Sequence, residues 1–202
     1  MADTPLIACT LFFSCVTSLW VAYHVVSDRF LFKKYIWKLF RRTKISASEF
    51  EAFLYSFAKV LLKFSREKIG ALIVIEKYHN LQKYINLGYE VHSKFFADFL
   101  YNVFLNKKSA MHDGGVIMRG LEIKSISSYF PITSNKNIPN KLGSRHRAAM
   151  GITSKTDAIA FLVSETSGKI MFSQKGQIFE LNKDNITLLI KKLNSLLNFH
   201  IN

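Results

Sequence analysis

An uncharged apolar segment near the N-terminus constrains this chain more than any other feature. From Pro5 to Val26 the sequence contains no Asp, Glu, Lys or Arg. This run of about 22 residues is long enough for a helix that crosses a bilayer, which needs roughly 20 residues. Trp20 and Tyr23 stand near its C-terminal end, where aromatic side chains favour the membrane interface. We therefore predict that residues 1–27 form one transmembrane anchor.

A basic block follows the apolar segment directly. Residues 28–44 contain one anion, Asp28, and seven cations, which are Arg29, Lys33, Lys34, Lys38, Arg41, Arg42 and Lys44. The formal net charge of the chain is +14, which implies an acidic partner such as anionic lipid, a nucleotide or nucleic acid. Because the block adjoins an apolar segment, it favours anionic lipid as its partner and disfavours nucleic acid. Residues 28–45 are predicted to be a basic juxtamembrane linker or helix.

Two other interpretations of the apolar segment remain open, a cleaved signal peptide and a buried core helix. A signal peptide carries its positive charge before the apolar run, whereas here Asp3 precedes the run and the cations follow it. The anchor is therefore favoured. The excess of Lys and Arg after the segment predicts that the chain from residue 28 onward lies in the cytoplasm, on the inner face of the cell membrane.

Residues 46–202 are predicted to form one α/β domain with a mixed central β-sheet flanked by helices. Two capping boxes, Ser46 to Glu49 and Ser48 to Glu51, are each able to open the first helix, which ends near residues 66–68. The apolar periodicity and turn residues predict further helices over 93–104, 139–152 and 182–198. They predict strands over 70–76, 81–87, 116–118, 122–130, 158–164, 169–173 and 177–181.

The first candidate site segment runs from Met111 to Met118. Its polar pair, His112 and Asp113, precedes Gly114 and Gly115 and then an apolar strand. Glycines permit close approach of the backbone to a ligand, and an Asp at such a place is able to bind a metal or polarise a hydroxyl. An ordinary turn remains the alternative, because Asp-Gly is a common turn dipeptide.

The second candidate segment, residues 142–149, contains the hydroxyl of Ser144 and three basic side chains, those of Arg145, His146 and Arg147, directly after Gly143. A helix N-terminus offers free N–H groups and the positive end of the dipole, and arginines bind phosphate through two hydrogen bonds. The pattern predicts a polyphosphate site, with a solvated basic helix turn as the alternative. A third segment, Val163 to Gly168, lies at the C-terminal end of a predicted buried strand, where ligand sites are common, although an ordinary loop would look the same.

Taken together, these segments resemble the diadenylate cyclase family of the single-pass membrane-bound type. That family pairs an Asp-Gly-Ala motif with a Thr/Ser-Arg-His-Arg motif. The resemblance spans Ile69 to about Leu181 and rests on five stretches, which are residues 69–72, His112-Asp113-Gly114, Tyr129-Phe130-Pro131, Gly143 to Ala149, and Val163-Ser164-Glu165. Two departures stand out. Gly115 occupies the usual Ala position, and Thr166 stands where some membrane-bound relatives carry a second Glu.

The resemblance implies that two ATP molecules are condensed into cyclic di-AMP with release of two pyrophosphates. Each 3′-hydroxyl attacks the α-phosphate of the other nucleotide, so two protomers would meet face to face in a homodimer. The resemblance also implies a divalent metal, Mg²⁺ or Mn²⁺, because phosphates need a hard cation. The alternative is a catalytically inactive, membrane-tethered nucleotide-binding module, which the Ala-to-Gly departure favours and Asp113 with both arginines disfavours.

The resemblance also implies a role for each site residue. Asp113 would activate the 3′-hydroxyl, directly or through the metal, and His112 would be a metal ligand. Arg145 and Arg147 would bind the β- and γ-phosphates and stabilise the leaving pyrophosphate. His146 would contact ATP or, alternatively, only pack and orient the loop. The remaining contacts to ATP would come from Gly114, Gly115, Tyr129, Phe130, Gly143, Ser144, Ser164 and Glu165.

Overall fold

The computed structural model of the chain describes residues 13–21, 23, 45–133 and 143–197. The chain divides into two compact units, Met1–Arg42 and Thr43–Asn202. In the first unit, residues 13–21 and 23 are helical, and the Ser18 hydroxyl donates to the Ser14 carbonyl at 2.8 Å. Among the described residues, no helix is both long and apolar enough to cross a membrane. Most of the predicted anchor and all but one residue of the linker at 28–45 lie outside the described residues.

The second unit begins with helix α1, Ala47–Glu67. Ser46 and Glu49 form the predicted capping box, since the Glu49 N–H donates to Ser46 Oγ at 3.2 Å and the Ser46 N–H donates to Glu49 Oε2 at 3.1 Å. Ser48 lies inside the helix, so the second possible box is not the one that opens it. The helix ends at Lys68, whose left-handed conformation directs the chain into the sheet.

Strands and helices alternate irregularly after α1. In chain order they are β1 (Ala71–Glu76), α2 (Gln82–Ile85), β2 (Tyr89–Lys94), α3 (Ala97–Leu105), β3 (Gly115–Arg119), β4 (Glu122–Ser128), α4 (Ser144–Lys155), β5 (Ile159–Val163), β6 (Ile170–Gln174), β7 (Gln177–Glu180) and α5 (Ile186–Leu197). The strands form one seven-stranded sheet in the order β2-β4-β3-β1-β5-β6-β7. The central pair β1–β3 is parallel, and every other neighbouring pair in this sheet of described residues is antiparallel.

Alternate residues of the central strands pack on opposite faces of the sheet, as period-two geometry requires. Ile73 and Phe161 belong to the core under α1, α3 and α5. Leu72 and Leu162 belong to a second core under α2 and α4. Because both faces of β1 and β5 are covered, these strands have continuous apolar sequences. The predicted α/β fold with a mixed central sheet between helices is confirmed.

Four element predictions need correction. The strand predicted over 81–87 is instead helix α2, because the Asn80 side chain accepts from the Gln82 N–H at 2.8 Å and turns the chain. The helix predicted over 93–104 begins only at Ala97, since Tyr89–Lys94 pairs with β4 as an edge strand. The helix predicted over 182–198 begins at Ile186, where Asn185 Oδ1 accepts from the N–H of Thr187 at 2.8 Å and so caps it.

The helix predicted over 139–152 is α4, and it runs from Ser144 to Lys155. Residues 134–142 lie outside the described residues. The predicted C-terminal end is too early because Thr153 and Ser154, which are unfavourable in helix interiors, hydrogen-bond back to carbonyls one turn earlier. Thr153 donates to the Ala149 carbonyl at 2.8 Å, and Ser154 donates to the Gly151 carbonyl at 2.9 Å.

Candidate active site

Four chain segments meet at one edge of the sheet. Strands β1 and β3 are parallel, so Gly70 and Gly114, which precede them, lie at the same edge. Strand β5 runs antiparallel to β1, so Ser164, which follows it, reaches that edge from the opposite direction. The N-terminus of α4 contributes Ser144 to a cavity that Gly114 also lines. The three candidate segments of the sequence therefore converge.

The loop before β3 is shaped by two glycines. Gly114 has φ +69°, in the left-handed region, and a Cβ there would lie 2.5 Å from the Ser128 carbonyl oxygen. A Cβ on Gly115 would lie 2.8 Å from the Leu72 carbonyl oxygen and 2.9 Å from Cε2 of Phe130. Both positions therefore need glycine in this structure, one for its conformation and the other for its packing.

His112 is buried with its ring oriented by the backbone. Its Nδ1 lies 2.7 Å from the carbonyl oxygen of Phe104, and the ring packs edge-on against the Phe104 ring. A carbonyl oxygen only accepts, so Nδ1 carries the proton and donates in the neutral imidazole. Nε2 then holds the lone pair. This is the tautomer that a metal ligand needs, with the other ring nitrogen fixed by a carbonyl.

Arg145 connects the helix N-terminus to the His-Asp loop. Its Nη2 donates to the carbonyl oxygen of His112 at 2.7 Å, and its Nη1 lies 3.9 Å from Oε2 of Glu165. Burial lowers the pKa of Arg145, opposed by the neighbouring carboxylates of Glu165 and Asp113. Its buried Nε has no hydrogen-bond partner among the described residues. An unsatisfied buried donor is costly, so this guanidinium has an unused donor where a ligand oxygen would be stabilised.

Glu165 has a second cationic neighbour, Lys107, in the loop after α3. The Lys107 ammonium contacts Oε1 of Glu165. The hydrogen bond from Lys107 lowers the pKa of Glu165, and the charges of Lys107 and Arg145 add to that effect. The carboxylate is therefore ionised at neutral pH and shared between two cations. Burial lowers the pKa of His146, which is accordingly uncharged at neutral pH.

Two adjoining cavities share Ser144 and Arg145 in their walls. The first has a volume of about 370 Å³ and is lined by Leu72, His112, Asp113, Gly114, Tyr129, Phe130, Ile132, Ser144, Arg145 and Ala148. The second has a volume of about 400 Å³ and is lined by Gly70, Gly143, Ser144, Arg145, His146, Val163, Ser164, Glu165, Thr166, Ser167, Lys169 and Met171. Aromatic and aliphatic side chains are concentrated in the first wall, whereas hydroxyls and charges dominate the second. The pair suits a ligand with an apolar ring system at one end and an anionic group at the other.

The sequence profile of the DAC family, described as DisA bacterial checkpoint controller nucleotide-binding, matches residues 59–178. This range includes the C-terminal part of α1, the residues that line the two cavities, and both candidate motifs.

The chain belongs to the DAC family.

Curated relatives carry the same assignment. The chain is 46% identical over 143 residues to the diadenylate cyclase of Mycoplasma pneumoniae. The matched region covers 71% of this chain and 70% of that protein. It is 48% identical over 132 residues to the diadenylate cyclase of Mycoplasma genitalium, covering 65% of this chain and 66% of that protein. The prediction of an enzyme of the diadenylate cyclase class is confirmed by the family and these relatives.

Solved structures support the fold. A crystal structure of a double mutant of DacA from Staphylococcus aureus matches with a TM-score of 0.69 and 32% identity, covering 74% of this chain and 97% of that one. A protein from Bacillus cereus, described as a hypothetical membrane spanning protein, matches with a TM-score of 0.60 and 31% identity, covering 62% of this chain and 61% of that one. The DAC domain therefore has the same architecture in this chain.

The DAC fold brings together most of the predicted site residues. The first cavity contains His112, Asp113, Gly114, Tyr129, Phe130, Ser144 and Arg145. The second contains Gly143, Ser144, Arg145, His146, Ser164 and Glu165. The Asp113-Gly114 dipeptide forms a bend before β3 and lines the first cavity, and the chemical role of Asp113 stays a prediction.

Two predicted residues line neither cavity. Gly115 lies behind the wall and acts through its packing against Leu72 and Phe130. Arg147 is two positions beyond Arg145, and residues at that spacing do not share a face of a helix. Its backbone carbonyl accepts from the Thr133 N–H at 3.3 Å. The role of Arg147 in phosphate binding stays a prediction.

Sequence reasoning missed several DAC residues that line the cavities or contact their walls. Thr166 and Ser167 lie within the third candidate segment but were given no ligand contact. Lys169 stands four positions after Glu165, so proximity along the chain would have found it. Leu72 lies within a stretch that carried the resemblance. Lys107 offered no local signal, because 58 positions separate it from Glu165 and only the fold joins them.

A further cavity, of about 550 Å³, lies between α1 and the β2–α3 connection. Its walls include Phe53, Phe95 and Phe96 but none of the predicted site residues. The predicted site residues that line a cavity therefore lie in the two smaller ones, where a partly buried arginine, an oriented imidazole and a carboxylate meet.

Proposed function

We propose that this chain is a membrane-anchored diadenylate cyclase that condenses two ATP molecules into cyclic di-AMP, with two protomers acting face to face. The observation that carries the proposal is the position of Arg145. It lines both cavities and holds the carbonyl of His112, next to Asp113, at 2.7 Å. One side chain thus links the phosphate end of the site to the carboxylate that would take a proton.

The first cavity suits adenosine. Leu72, Phe130 and Ala148 provide an apolar wall for a purine, and the exposed Tyr129 is able to contact its edge. Asp113 lies in the same cavity, where it would accept the proton of the 3′-hydroxyl. The polyphosphate would extend past Arg145 to the N-terminus of α4, whose first N–H groups and dipole favour anions.

The proposed reaction balances for two nucleotides. Each 3′-oxygen forms a bond to the α-phosphorus of the other ATP, while the bond from that phosphorus to the bridging oxygen of pyrophosphate breaks. Each hydroxyl proton passes to Asp113 of the protomer that binds its nucleotide. Arg145 would stabilise the negative charge that develops on the departing pyrophosphate. Both bonds join one nucleotide to the other, so the reaction requires two sites to meet.

A divalent metal, Mg²⁺ or Mn²⁺, is part of the proposal. Within the described part of the chain, no group of three or more His, Cys, Asp or Glu side chains could hold a metal. His112 and Asp113 fit a site completed by phosphate oxygens, because the lone pair of His112 resides on Nε2 and both residues line the same cavity. When bound, the metal would neutralise phosphate charge and make the α-phosphorus more electrophilic.

The membrane anchor and the cytoplasmic location are also proposals. They are supported by the uncharged run from Pro5 to Val26, by the basic block at 28–44 that would bind anionic lipid, and by the similarity to a Bacillus cereus protein described as membrane spanning. Expression of the full chain and of a version lacking residues 1–27, followed by carbonate extraction of membranes, tests the anchor. Release of the full chain by carbonate would contradict it.

The catalytic proposal is tested by incubating the full chain with ATP and Mn²⁺ and identifying products by mass. Cyclic di-AMP and pyrophosphate in a ratio of one to two would support it. ATP binding without product, under conditions where a DAC relative turns over, would favour the inactive nucleotide-binding module. Salt-sensitive binding of DNA or RNA by the chain would instead support the nucleic-acid alternative.

Face-to-face action predicts a particular mixing curve. Wild-type chain mixed with Asp113→Asn chain at constant total concentration forms mixed dimers, which lack one of the two required proton acceptors. The rate should therefore fall with the square of the wild-type fraction. A linear fall would mean that one protomer completes the reaction alone and would contradict the two-site mechanism.

A further inference from the structure

Lys169 belongs to the polar cavity but to neither candidate motif. It follows the turn between β5 and β6 and lines the same cavity as Ser144, Arg145 and Ser164. Its ammonium pairs with Oε2 of Glu180 at 2.7 Å, and the two side chains are 52% and 55% exposed. Exposed ion pairs contribute little to stability, so a multiply charged anion would readily replace Glu180 as the partner of this lysine.

The turn that carries Lys169 is held firmly. The N–H of Ser164 donates to the Lys169 carbonyl at 3.0 Å, and the N–H of Gly168 donates to the Ser164 carbonyl at 2.8 Å. Gly168 has φ +66°, and a Cβ there would lie 2.5 Å from the Ser65 carbonyl oxygen on α1. The Ser65 hydroxyl also donates to the Gly168 carbonyl. The backbone of Lys169 is thus fixed beside the cavity while its side chain is able to swing.

The charges in this cavity leave a need for a second cation. Among the described residues that line this cavity, the lysine and arginine side chains are those of Lys169 and Arg145, and the negative charge of Glu165 partly offsets their positive charge. Arg145 already holds the His112 carbonyl and lies beside Glu165. His146 is held neutral by burial at ordinary pH. A triphosphate carries several negative charges and needs cationic partners. Of the two cations in this wall, Lys169 is the one more easily released from its present partner, so the triphosphate would bind it.

The arrangement of the two cavities, with Ser144 and Arg145 between them, indicates which phosphates Lys169 would contact. With the purine in the apolar cavity, the α-phosphate would lie near Ser144 and Arg145, which the two cavities share. The β- and γ-phosphates would extend into the second cavity, whose remaining wall includes Ser167, Lys169 and Met171. These two phosphates leave together as pyrophosphate.

We propose that Lys169 releases Glu180 and binds the β- and γ-phosphates of ATP, which makes it a substrate-binding residue for the pyrophosphate leaving group. The inference rests on the proposed cyclase function. It adds a residue that neither motif includes, and it assigns the specificity for a triphosphate over a monophosphate to the β5–β6 turn.

Calorimetry with 3′-deoxy-ATP and 3′-deoxy-AMP tests the proposal, because neither nucleotide has the hydroxyl that would react. The full chain, with Mg²⁺ present, is compared with Lys169→Gln and Lys169→Arg. Loss of one charge-assisted hydrogen bond should weaken 3′-deoxy-ATP binding by about tenfold in the Gln variant. Binding of 3′-deoxy-AMP should not change, and the Arg variant should recover most of the affinity for 3′-deoxy-ATP.

Two controls separate this role from a structural one. Glu180→Gln breaks the same ion pair but keeps the lysine, so it should leave 3′-deoxy-ATP binding unchanged or strengthen it. Lys191→Gln removes an exposed positive charge from α5, away from both cavities, and should have no effect. Wild-type affinity in Lys169→Gln, an equal loss for both nucleotides, or the same loss in Glu180→Gln would each overturn the inference.

The outcome is independent of turnover. A wild-type chain that binds 3′-deoxy-ATP but makes no cyclic di-AMP from ATP would refute the proposed cyclase and leave the binding comparison interpretable. A productive cyclase in which Lys169→Gln binds 3′-deoxy-ATP normally would refute the role of Lys169 alone. If Lys169→Gln lowers the melting temperature, the Glu180→Gln and Lys169→Arg variants still distinguish two causes of weaker 3′-deoxy-ATP binding. One cause is loss of the positive charge at position 169, and the other is loss of the ion pair with Glu180.

Discussion

Arg145 and His112 are 33 positions apart in the chain, yet Nη2 of Arg145 donates to the His112 carbonyl at 2.7 Å. This contact joins the two sequence motifs of the DAC domain into one structure. It also fixes the peptide that precedes Asp113, so in the proposed site the guanidinium would position the carboxylate and contact the ligand with the same planar group.

Replacement of Arg145 by Lys should therefore be damaging although the charge is kept. A lysine lacks the planar fork needed to reach both the His112 carbonyl and a phosphate. We expect ATP affinity to fall by about 10- to 100-fold, the range for loss of one hydrogen bond to a charged group. Calorimetry with 3′-deoxy-ATP measures the change, and wild-type affinity in the variant would contradict the role of Arg145.

Replacement of Asp113 by Asn should remove the proton acceptor while keeping size and hydrogen-bonding shape. General-base catalysis contributes about 10²- to 10⁴-fold, so product formation should fall by at least about 100-fold. Nucleotide binding should persist, because Arg145 and the α4 N-terminus remain. Product quantified by mass, beside binding of 3′-deoxy-ATP, separates the two effects. Undiminished product formation would remove Asp113 from the chemistry.

Replacement of Gly115 by Ala should destabilise the domain. The new Cβ would lie 2.8 Å from the Leu72 carbonyl and 2.9 Å from the Phe130 ring, and overpacking of this kind costs about 1–3 kcal/mol. Chemical denaturation should show that loss. Gly143→Ala is the matched control, because the nearest atom to its Cβ is His146 Nδ1 at 3.9 Å. Equal stability of the two variants would mean that the wall at Phe130 adapts without cost.

Replacement of Ser46 by Ala should test the capping box of α1. Ser46 Oγ accepts from the Glu49 N–H at 3.2 Å, and loss of such a cap costs about 1 kcal/mol of stability. The free energy of unfolding from a urea titration should fall by about that amount. Ser48→Ala, inside the first turn, should change it much less. A larger loss from Ser48→Ala would contradict Ser46 as the cap.

Replacement of Lys107 by Gln should raise the pKa of Glu165 towards its ordinary value, because Lys107 is the main cause of its depression. A carboxyl with a depressed folded-state pKa stabilises the fold above its unfolded pKa, and that contribution is lost as the pH falls through the folded value. Wild type should therefore exceed the variant in stability at pH 7, and the two stabilities should converge as the pH falls through the folded-state pKa of Glu165. Both groups are exposed, so the gap should stay below about 1 kcal/mol.

NMR titration of the Glu165 carboxyl carbon gives the pKa directly. Lys108→Gln is the control, since it removes a neighbouring charge and keeps the Lys107 contact. An unchanged Glu165 titration in Lys107→Gln would show that the ion pair does not persist in solution.

The buried strands were predictable from the sequence because a strand covered on both faces needs apolar side chains at nearly every position. Ala71–Glu76 and Ile159–Val163 are covered on both faces, so their sequences are almost continuously apolar. Strand β2 was missed because it lies at the edge of the sheet and is partly exposed. It also contains a register shift between Glu90 and Ser93 and a positive φ at His92.

The candidate site was predictable where its residues are neighbours in the chain. His112, Asp113, Ser144 and Arg145 stand in short motifs, and their chemistry is visible without a fold. Lys107 was not predictable, because an isolated surface lysine carries no signal until the fold brings it beside Glu165. Arg147 shows the converse, since a motif includes it but helical geometry places it outside both cavity walls.

The central strand β1 has its two neighbours far along the chain. Ile73 pairs with Val116 of β3 and with Phe161 of β5, and such non-local pairing slows folding. During synthesis, a chain that has not yet reached residue 163 leaves one edge of this apolar strand without a partner, which invites aggregation. Arg145 and Glu165 are also separated until β5 docks. Ribosome-bound fragments would thus have no complete nucleotide site, and ATP could assist only the final stage of folding.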